Sequence, residues 1–222
     1  MTAALLFDLD GTLVETDDIH LFAFQTVFAP HGVALDRTRY NREILGSSND
    51  AIGRAFLPHL SAEARARTLD EKEAVYRAHV GDVAAAAGLA ELLDYADAHG
   101  LRRAVVTNAP RANADLILRA LGLVECLPIV VCGDELSRSK PDPLPYLTAL
   151  GLTGARAEAS VAFEDSPSGV RAAAAAGLAV IGMTTSLDEG RLIAAGAALV
   201  VADFADARIY AFIERRRAAG ER

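Results

Sequence analysis

The sequence lacks the features of a membrane-spanning protein, a secreted protein or a disulfide-rich protein. Its two cysteines, Cys126 and Cys132, show no metal-ligand spacing and indicate no disulfide framework. No apolar run reaches the roughly 20 residues that a membrane-spanning helix needs. The first residues contain neither a basic region nor a cleavage-type segment, so no secretory signal is expected. We therefore predict reduced thiols and a cytoplasmic location.

The sequence also lacks an excess of basic residues. Its 22 lysines and arginines are outnumbered by 30 aspartates and glutamates, which gives a formal net charge of −8. Nucleic acids and anionic membrane surfaces bind basic faces, so neither is predicted as a partner. A small phosphorylated metabolite fits this composition, because a phosphate group needs only local positive charge. The length of 222 residues allows one sizeable core and a smaller accessory domain, and we expect a monomer or a small homo-oligomer.

Short apolar runs alternate with helix-like segments through most of the chain. The runs read as buried strands and cover residues 3–7, 104–106, 129–132, 161–163, 179–181 and 199–201. Helix-like segments, each closed by a glycine, cover residues 89–98, 112–121, 143–150 and 169–176. This alternation predicts an α/β fold with a Rossmann-like, doubly wound parallel sheet.

One long interval, residues 15–84, breaks the alternation. It shows no convincing strand, but residues 19–27, 39–45, 51–57 and 63–80 look helical. Ser61 is a plausible N-cap for the last of these segments. We therefore predict a helical cap domain of residues 15–84, inserted into a core of residues 1–14 and 85–222.

Two carboxylates, Asp8 and Asp10, directly follow the first predicted strand, and Gly11 then allows a sharp turn. In an extended chain both side chains point to the same side, into the crevice where open α/β sheets bind ligands. Two close carboxylates repel each other unless a cation or a shared proton compensates them, and a hard dication with oxygen ligands suits the pair. For a lone Asp-x-Asp, a helix cap or a solvated turn is the usual alternative.

Other polar residues also stand where the same chemistry needs them. Thr107 and Asn108 follow the second predicted strand and could donate hydrogen bonds to phosphate oxygens. Lys140 supplies a compact positive charge in a loop stiffened by proline. Glu164 and Asp165 bring a second acidic pair to the end of another strand. Each of these residues alone is ordinary in a turn or on a surface, but their order and strand context together indicate one site.

This set of residues resembles the four sequence motifs of the haloacid dehalogenase-like superfamily. The motifs are Asp8-x-Asp10-Gly11-Thr12, Thr107-Asn108, Lys140-Pro141 and Glu164-Asp165-Ser166. The resemblance covers nearly the whole chain and extends to the branch with a helical cap after the first motif, which holds phosphoglycolate phosphatases, sugar-phosphate phosphatases and β-phosphoglucomutase. It implies a Mg²⁺-dependent phosphoric monoester hydrolase acting on a small phosphorylated metabolite, such as a sugar phosphate or a phosphoglycolate-like compound.

The resemblance also implies a role for each motif residue. Asp8 would be the nucleophile and form an aspartyl-phosphate, while Asp10 would protonate the leaving group and then activate water. The transferring phosphoryl group would be bound by Thr107, the backbone amide of Asn108, and Lys140. Mg²⁺ would be held by Asp8, the Asp10 carbonyl and Asp165, with Glu164 helping directly or through water. Asp10 argues against a dehalogenase, because the dehalogenases of the superfamily lack that acid and need no metal.

Substrate choice would depend on the cap. The resemblance points to His20, early in the first cap helix, and to Ser48 and Asn49 in the loop that begins at Gly46. The mutase carries an arginine where this chain has Asn49 and a lysine where it has Leu45, which weakens a phosphosugar mutase as the alternative. A non-catalytic binding protein on the same fold is a second alternative, although such a protein need not keep Asp10.

Overall fold

Six parallel strands form a single sheet in the computed structural model, which describes residues 2–220. The strands are β1 (Ala4–Phe7), β2 (Arg102–Thr107), β3 (Val130–Cys132), β4 (Val161–Glu164), β5 (Ala179–Met183) and β6 (Leu199–Val201). Their order in the sheet is β3-β2-β1-β4-β5-β6, and every neighbouring pair is parallel. The prediction of a doubly wound α/β fold is confirmed. The winding direction reverses between β1 and β4, and in such sheets ligands bind in the crevice at that point.

Ten helices accompany the strands within residues 2–220. They are α1 (Asp17–Phe28), α2 (Arg37–Glu43), α3 (Asn49–Phe56), α4 (Ala62–His79), α5 (Leu89–Ala98), α6 (Arg111–Ala120), α7 (Leu144–Thr153), α8 (Pro167–Ala175), α9 (Glu189–Ala195) and α10 (Arg208–Gly220). The expected end of α7 at Gly151 is wrong, because the helix runs on to Thr153 and stops at the left-handed Gly154. Helices α9 and α10 were not predicted.

Apolar side chains cover both faces of the sheet, which explains why its strands are continuous apolar runs. Leu5 and Phe7 face one layer of helices, and Ala4 and Leu6 face the other. The Phe7 ring stacks on Phe163 of the adjacent strand β4, with the ring centroids 5.1 Å apart. The sheet is therefore a rigid support for the residues that follow its carboxyl ends.

Helices α1 to α4 lie between β1 and α5, and residues 15–84 contain no strand. These helices share an apolar cluster of their own, built around Phe24, Phe28 and Phe56. The predicted N-cap Ser61 is confirmed, since its hydroxyl accepts a hydrogen bond from the Ala64 backbone amide at 3.2 Å. An isolated antiparallel bridge joins residues 14 and 85, at the predicted ends of the insertion.

Neither cysteine forms a disulfide: Cys126 and Cys132 are both free, as predicted. Within residues 2–220, no helix combines the length and the apolar character that crossing a membrane requires.

Candidate active site

The predicted motif residues converge at the carboxyl ends of the central strands. Asp8 follows β1, Thr107 ends β2, and Asp165 follows β4. They line one pocket together with Asp10 and Lys140. The pocket is small, with a cavity volume of about 90 Å³.

Lys140 connects the two acidic motifs. Its Nζ donates hydrogen bonds to Asp8 Oδ1, to Glu164 Oε1 and to the Val106 carbonyl oxygen, each at 2.6 Å. An ammonium group has three donors, so all of them are used. Although burial alone would lower the pKa of Lys140, the adjacent Asp8 and Glu164 carboxylates raise it above its ordinary value. The lysine therefore holds one Asp8 oxygen in a fixed position as a charged group.

Asp8, Glu164 and Asp165 form a buried acidic cluster, in which one carboxylate oxygen of each lies within 4.8 Å of those of the others. Burial, followed by the neighbouring acids, raises the pKa of Asp165 well above its ordinary value. Burial likewise raises the pKa of Asp8 to about 8, against the opposing effect of Lys140. Within residues 2–220, Asp165 Oδ2 is buried without a hydrogen-bond partner. Such unpaired carboxylate oxygens fit Mg²⁺, a hard cation that prefers oxygen ligands.

Glu164 is the most enclosed member of the cluster. Its Oε1 accepts from Lys140 and also from the Tyr146 hydroxyl at 2.6 Å, while Oε2 accepts from Ser166 Oγ at 3.3 Å. The residue is fully buried. A Cβ at position 169 would lie only 1.8 Å from Glu164 Oε1, so Gly169 is needed for this packing. These contacts occupy Glu164, and its predicted metal role stays a prediction.

Gly11 allows the Asp10 turn to approach the second acidic motif. Its φ is +76°, a left-handed conformation that glycine adopts without a steric penalty. A Cβ at this position would lie 2.3 Å from Asp165 Oδ2. Any larger residue would therefore displace the carboxylate whose oxygen lacks a partner.

Asp10 is held by residues of the helical segment. Its Oδ1 accepts hydrogen bonds from Thr16 Oγ1 at 2.5 Å and from the Tyr76 hydroxyl at 3.2 Å, and His20 Nε2 lies 3.4 Å away. Lys72 Nζ donates to His20 Nδ1 at 2.9 Å, so Nδ1 is the acceptor and Nε2 carries the proton that faces Asp10. Burial would raise the pKa of Asp10, but His20, Thr16 and Lys72 lower it to about 2.

The Thr107 and Asn108 side chains contact the protein itself. Thr107 Oγ1 accepts from the Ala109 backbone amide at 2.9 Å. The Asn108 side-chain amide donates to the Gly46 and Lys140 carbonyl oxygens, both at 3.2 Å, and its Oδ1 accepts from the Lys140 amide at 3.1 Å. Asn108 thus fixes the lysine loop and a loop of the helical segment. Both residues still line the pocket.

The three predicted cap residues occupy different places. His20 and Asn49 line the pocket, and Asn49 Nδ2 donates to Glu73 Oε1 at 2.7 Å. Ser48 instead caps α3 by accepting from the Ala51 amide at 3.4 Å, and it lines the neighbouring groove. Of the two serines in that loop, Ser47 is the one that lines the pocket.

Sequence reasoning missed the contribution of α4. Lys72, Glu73 and Tyr76 point inwards and are almost completely buried, with exposed fractions of 2%, 4% and 0%. They continue the helical spacing that begins at the buried Leu69. Two charged residues on an otherwise inward-facing stripe were the available signal.

The comparisons with known proteins agree with this geometry. Residues 5–183 match the family described as haloacid dehalogenase-like hydrolase. Protein CbbY of Rhodobacter capsulatus is 35% identical over 196 residues, covering 80% of this chain and 83% of that protein. The phosphoglycolate phosphatase of Rhodospirillum rubrum is 33% identical over 218 residues, covering 92% and 89%. A crystal structure of a CbbY mutant from Rhodobacter sphaeroides with xylulose-(1,5)bisphosphate has a TM-score of 0.80 at 32% identity, covering 93% of this chain and 96% of that chain.

The chain therefore belongs to the haloacid dehalogenase-like hydrolases, and the prediction from its four motifs is confirmed. The enzyme class that this membership and the named phosphatase support is phosphoric monoester hydrolase.

Proposed function

We propose that the protein is a Mg²⁺-dependent phosphatase that hydrolyses a small phosphorylated metabolite through an aspartyl-phosphate on Asp8. The observation that carries this proposal is the position of Asp8, which lines the pocket while Lys140 and the Asp165 carboxylate flank it. Membership of a hydrolase family supports it.

In the first step, an Asp8 carboxylate oxygen attacks phosphorus and forms a new P–O bond as the ester P–O bond breaks. Asp10 gives a proton to the leaving oxygen. The free enzyme holds Asp10 ionised, since its pKa is about 2, so it must gain that proton when substrate binds. The negative charge of the arriving phosphate favours this, because a nearby like charge raises a carboxyl pKa.

In the second step, Asp10 takes a proton from water as the water oxygen attacks the aspartyl-phosphate. The Asp8–phosphorus bond breaks, inorganic phosphate leaves, and Asp8 regains its carboxylate. The ionised state that Thr16, Tyr76 and His20 support at Asp10 Oδ1 suits this role as a base.

The phosphoryl group would be bound by Thr107, by the backbone amide of Asn108 and by Lys140. Because the three donors of Lys140 are used within the protein, the lysine would contribute positive charge to the oxygens that carry the transition-state charge. Asp8, Asp165 and the Asp10 carbonyl would hold Mg²⁺, with Glu164 assisting. The ion would supply charge stabilisation to the transferring group.

We also propose that residues 15–84 form a cap over a core of residues 1–14 and 85–222. The separate apolar cluster of α1 to α4 supports this division. Polar contacts such as Ser186 Oγ to Asp17 Oδ2, at 2.7 Å, and Asn108 to the Gly46 carbonyl join the segment to the strand ends near the pocket. Leu45 adds an apolar contact, since it packs against this cluster and against one cluster of the sheet. A closed cap would exclude water from the pocket. The cytoplasmic location and the oligomeric state stay predictions.

The test is release of inorganic phosphate from a panel of phosphorylated sugars, polyols and hydroxy acids, with Mg²⁺ or with a chelator. We expect turnover with Mg²⁺ alone, and at least about a hundredfold loss in Asp8→Asn, because a covalent nucleophile is removed. Asp94→Asn, at an exposed position of α5, is the matched control. Full activity in chelator would contradict the metal requirement, and conversion of a sugar 1-phosphate to the 6-phosphate without phosphate release would favour the mutase.

A further inference from the structure

The positively charged lysines that line the pocket are both paired with carboxylates of the protein. Of the two lysines that line the pocket, Lys140 contacts Asp8 and Glu164, and Lys72 contacts Glu73. No arginine from residues 2–220 lines the pocket. A second negatively charged group on a substrate would thus meet no unpaired lysine or arginine there.

Glu73 is the carboxylate that pairs with Lys72. Its Oε1 accepts from Asn49 Nδ2 at 2.7 Å and from Lys72 Nζ at 2.9 Å, and its Oε2 accepts from Asn113 Nδ2 at 2.6 Å. Burial would raise the pKa of Glu73, but Lys72, His20 and the Asn49 hydrogen bond lower it below the ordinary value. The group is therefore an ionised carboxylate held on three sides.

The charge of Lys72 is already paired within the protein. Its Nζ donates to His20 Nδ1 and Glu73 Oε1, both at 2.9 Å, and lies 4.4 Å from the centre of the Phe24 ring. A substrate anion that drew Lys72 away would leave the buried Glu73 charge with only the amides of Asn49 and Asn113, and a buried charge that loses its ionic partner is costly.

Four arginines line a separate groove that shares Asn49 and Glu73 with the pocket. Each has a partner on the protein: Arg54 bonds Asp50, Arg138 bonds Asp142, Arg77 bonds Asn113, and Arg65 bonds the Leu60 carbonyl. Glu73 and Asn49 therefore lie where the pocket and the groove that holds these cations share a lining.

We propose that Glu73 makes the enzyme select a phosphate monoester whose leaving group is an uncharged, hydroxyl-bearing molecule, and reject one that carries a second phosphate or a carboxylate. This inference rests on the proposed phosphatase function. Like-charge repulsion disfavours the anionic competitor. The Glu73 carboxylate accepts hydrogen bonds from hydroxyl groups. A hydroxyl-bearing leaving group therefore gains a favourable contact at the position where an anionic group would be repelled.

This selectivity separates the chain from the relatives described above. The CbbY structure contains xylulose-(1,5)bisphosphate, and the Rhodospirillum rubrum relative is named a phosphoglycolate phosphatase. Both of those compounds carry a second anionic group, and both are expected to be poor substrates here.

The test uses two matched substrate pairs: fructose 6-phosphate with fructose 1,6-bisphosphate, and glycerol 3-phosphate with 3-phosphoglycerate. In each pair the second member adds one anionic group. We expect the wild-type kcat/KM for the first member to be at least about tenfold higher, the change that about 1.4 kcal/mol produces. Glu73→Gln keeps the shape and frees Lys72, and it should lower that ratio by about tenfold. Glu71→Gln, at an exposed position of α4, removes the same charge and should leave the ratio unchanged.

Binding of the same four compounds to Asp8→Asn, with and without Glu73→Gln, gives a readout that needs no turnover. The ratio of dissociation constants should shift in the same direction as the ratio of kcat/KM. A wild-type preference for the charged members, or equal ratios in Glu73→Gln and Glu71→Gln, would overturn the selectivity. Absence of phosphate release from every compound would instead contradict the phosphatase function, and the binding ratios would still decide the role of Glu73.

Discussion

Asp10 has two roles in the proposed mechanism, first as a general acid and then as a general base. In that mechanism it donates a proton in the first step and accepts one in the second, yet three side chains favour its ionised form in the free protein. The contacts with Thr16, Tyr76 and His20 all come from residues 15–84, outside the segment that bears Asp8. The proposed acid–base residue Asp10 is therefore held by the helical segment, whereas the proposed nucleophile Asp8 is held by Lys140, which lies outside that segment.

The two aspartates should separate in kinetics. Asp10→Asn should slow the phosphorylation step most for sugar alkoxides, because a poor leaving group needs a proton, and less for an aryl phosphate. Hydrolysis of the aspartyl-phosphate should stay slow with either substrate, so the aryl ester should show a burst of phenol followed by a low steady rate. Rapid-mix measurements decide this, and equal first-turnover losses for the two ester types would show that Asp10 is not the general acid.

The buried side-chain amide of Asn113 joins helix α6 to helix α4. Asn113 donates to Glu73 Oε2 at 2.6 Å and accepts from Arg77 Nη1 at 2.9 Å. Asn113 lies among the buried residues of α6 and is only 1% exposed. This amide gives the helical segment a hydrogen-bonded contact with α6.

Removing that contact should loosen the segment. In Asn113→Ala, Glu73 loses a hydrogen bond, and hydrogen bonds to charged groups contribute about 1.5–3 kcal/mol each. We expect the free energy of unfolding, measured with urea, to fall by about 2 kcal/mol and KM to rise. Arg119→Ala, at an exposed position of the same helix, is the control and should change neither. An unchanged KM together with lower stability would indicate a purely structural amide.

The elements divide clearly into those that the sequence predicts and those that it does not. The six strands were predictable because both sheet faces are buried, so each strand contains a continuous apolar run. Helix α10 was missed although Ile209, Phe212 and Ile213 have helical spacing, because arginines dominate its remaining positions. Helix α9 has only seven residues and too little periodicity to detect.

The same reasoning explains which part of the site was predictable. The motif residues follow strands, and strand ends meet at one edge of a parallel sheet. The sequence alone therefore predicts that Asp8, Thr107 and Asp165 lie close together. Lys72 and Glu73 could not, because a charged residue on a helix is normally solvated and only its packing partner shows that it is buried. Position along a loop was equally uninformative, since neighbouring serines at 47 and 48 line different cavities.

At the scale of the whole molecule, the acidic cluster sets the response of stability to pH. Asp8 has a pKa of about 8 in the folded chain against 3.8 as its ordinary value. Between these values the folded state binds more protons than the unfolded state, so stability falls as pH rises, by at most about 1.4 kcal/mol per pH unit for one group. Asp165 shifts in the same direction.

We therefore expect the chelated protein to have a lower melting temperature at pH 8 than at pH 5, and Mg²⁺ to restore it at pH 8, because the ion binds the ionised form. Calorimetry in chelator and in Mg²⁺ measures both effects. Asp8→Asn should flatten the pH dependence in chelator. A melting temperature in chelator that rises from pH 5 to pH 8 would contradict the raised carboxyl pKa values.

The enclosure of Lys72 and Lys140 also gives the molecule an unusual chemical surface. They are the only two lysines in the chain, and their exposed fractions are 2% and 4%, so the other permanently charged basic side chains are guanidinium groups. Reagents that acylate or reductively methylate primary amines would find almost no target on the closed enzyme apart from the α-amino group. Any modification of a side-chain amine would occur inside the pocket and would require the proposed cap of residues 15–84 to open. An amine reagent would therefore label the site selectively, because the protein surface carries no competing lysine. The rate of that labelling would measure how often the site opens.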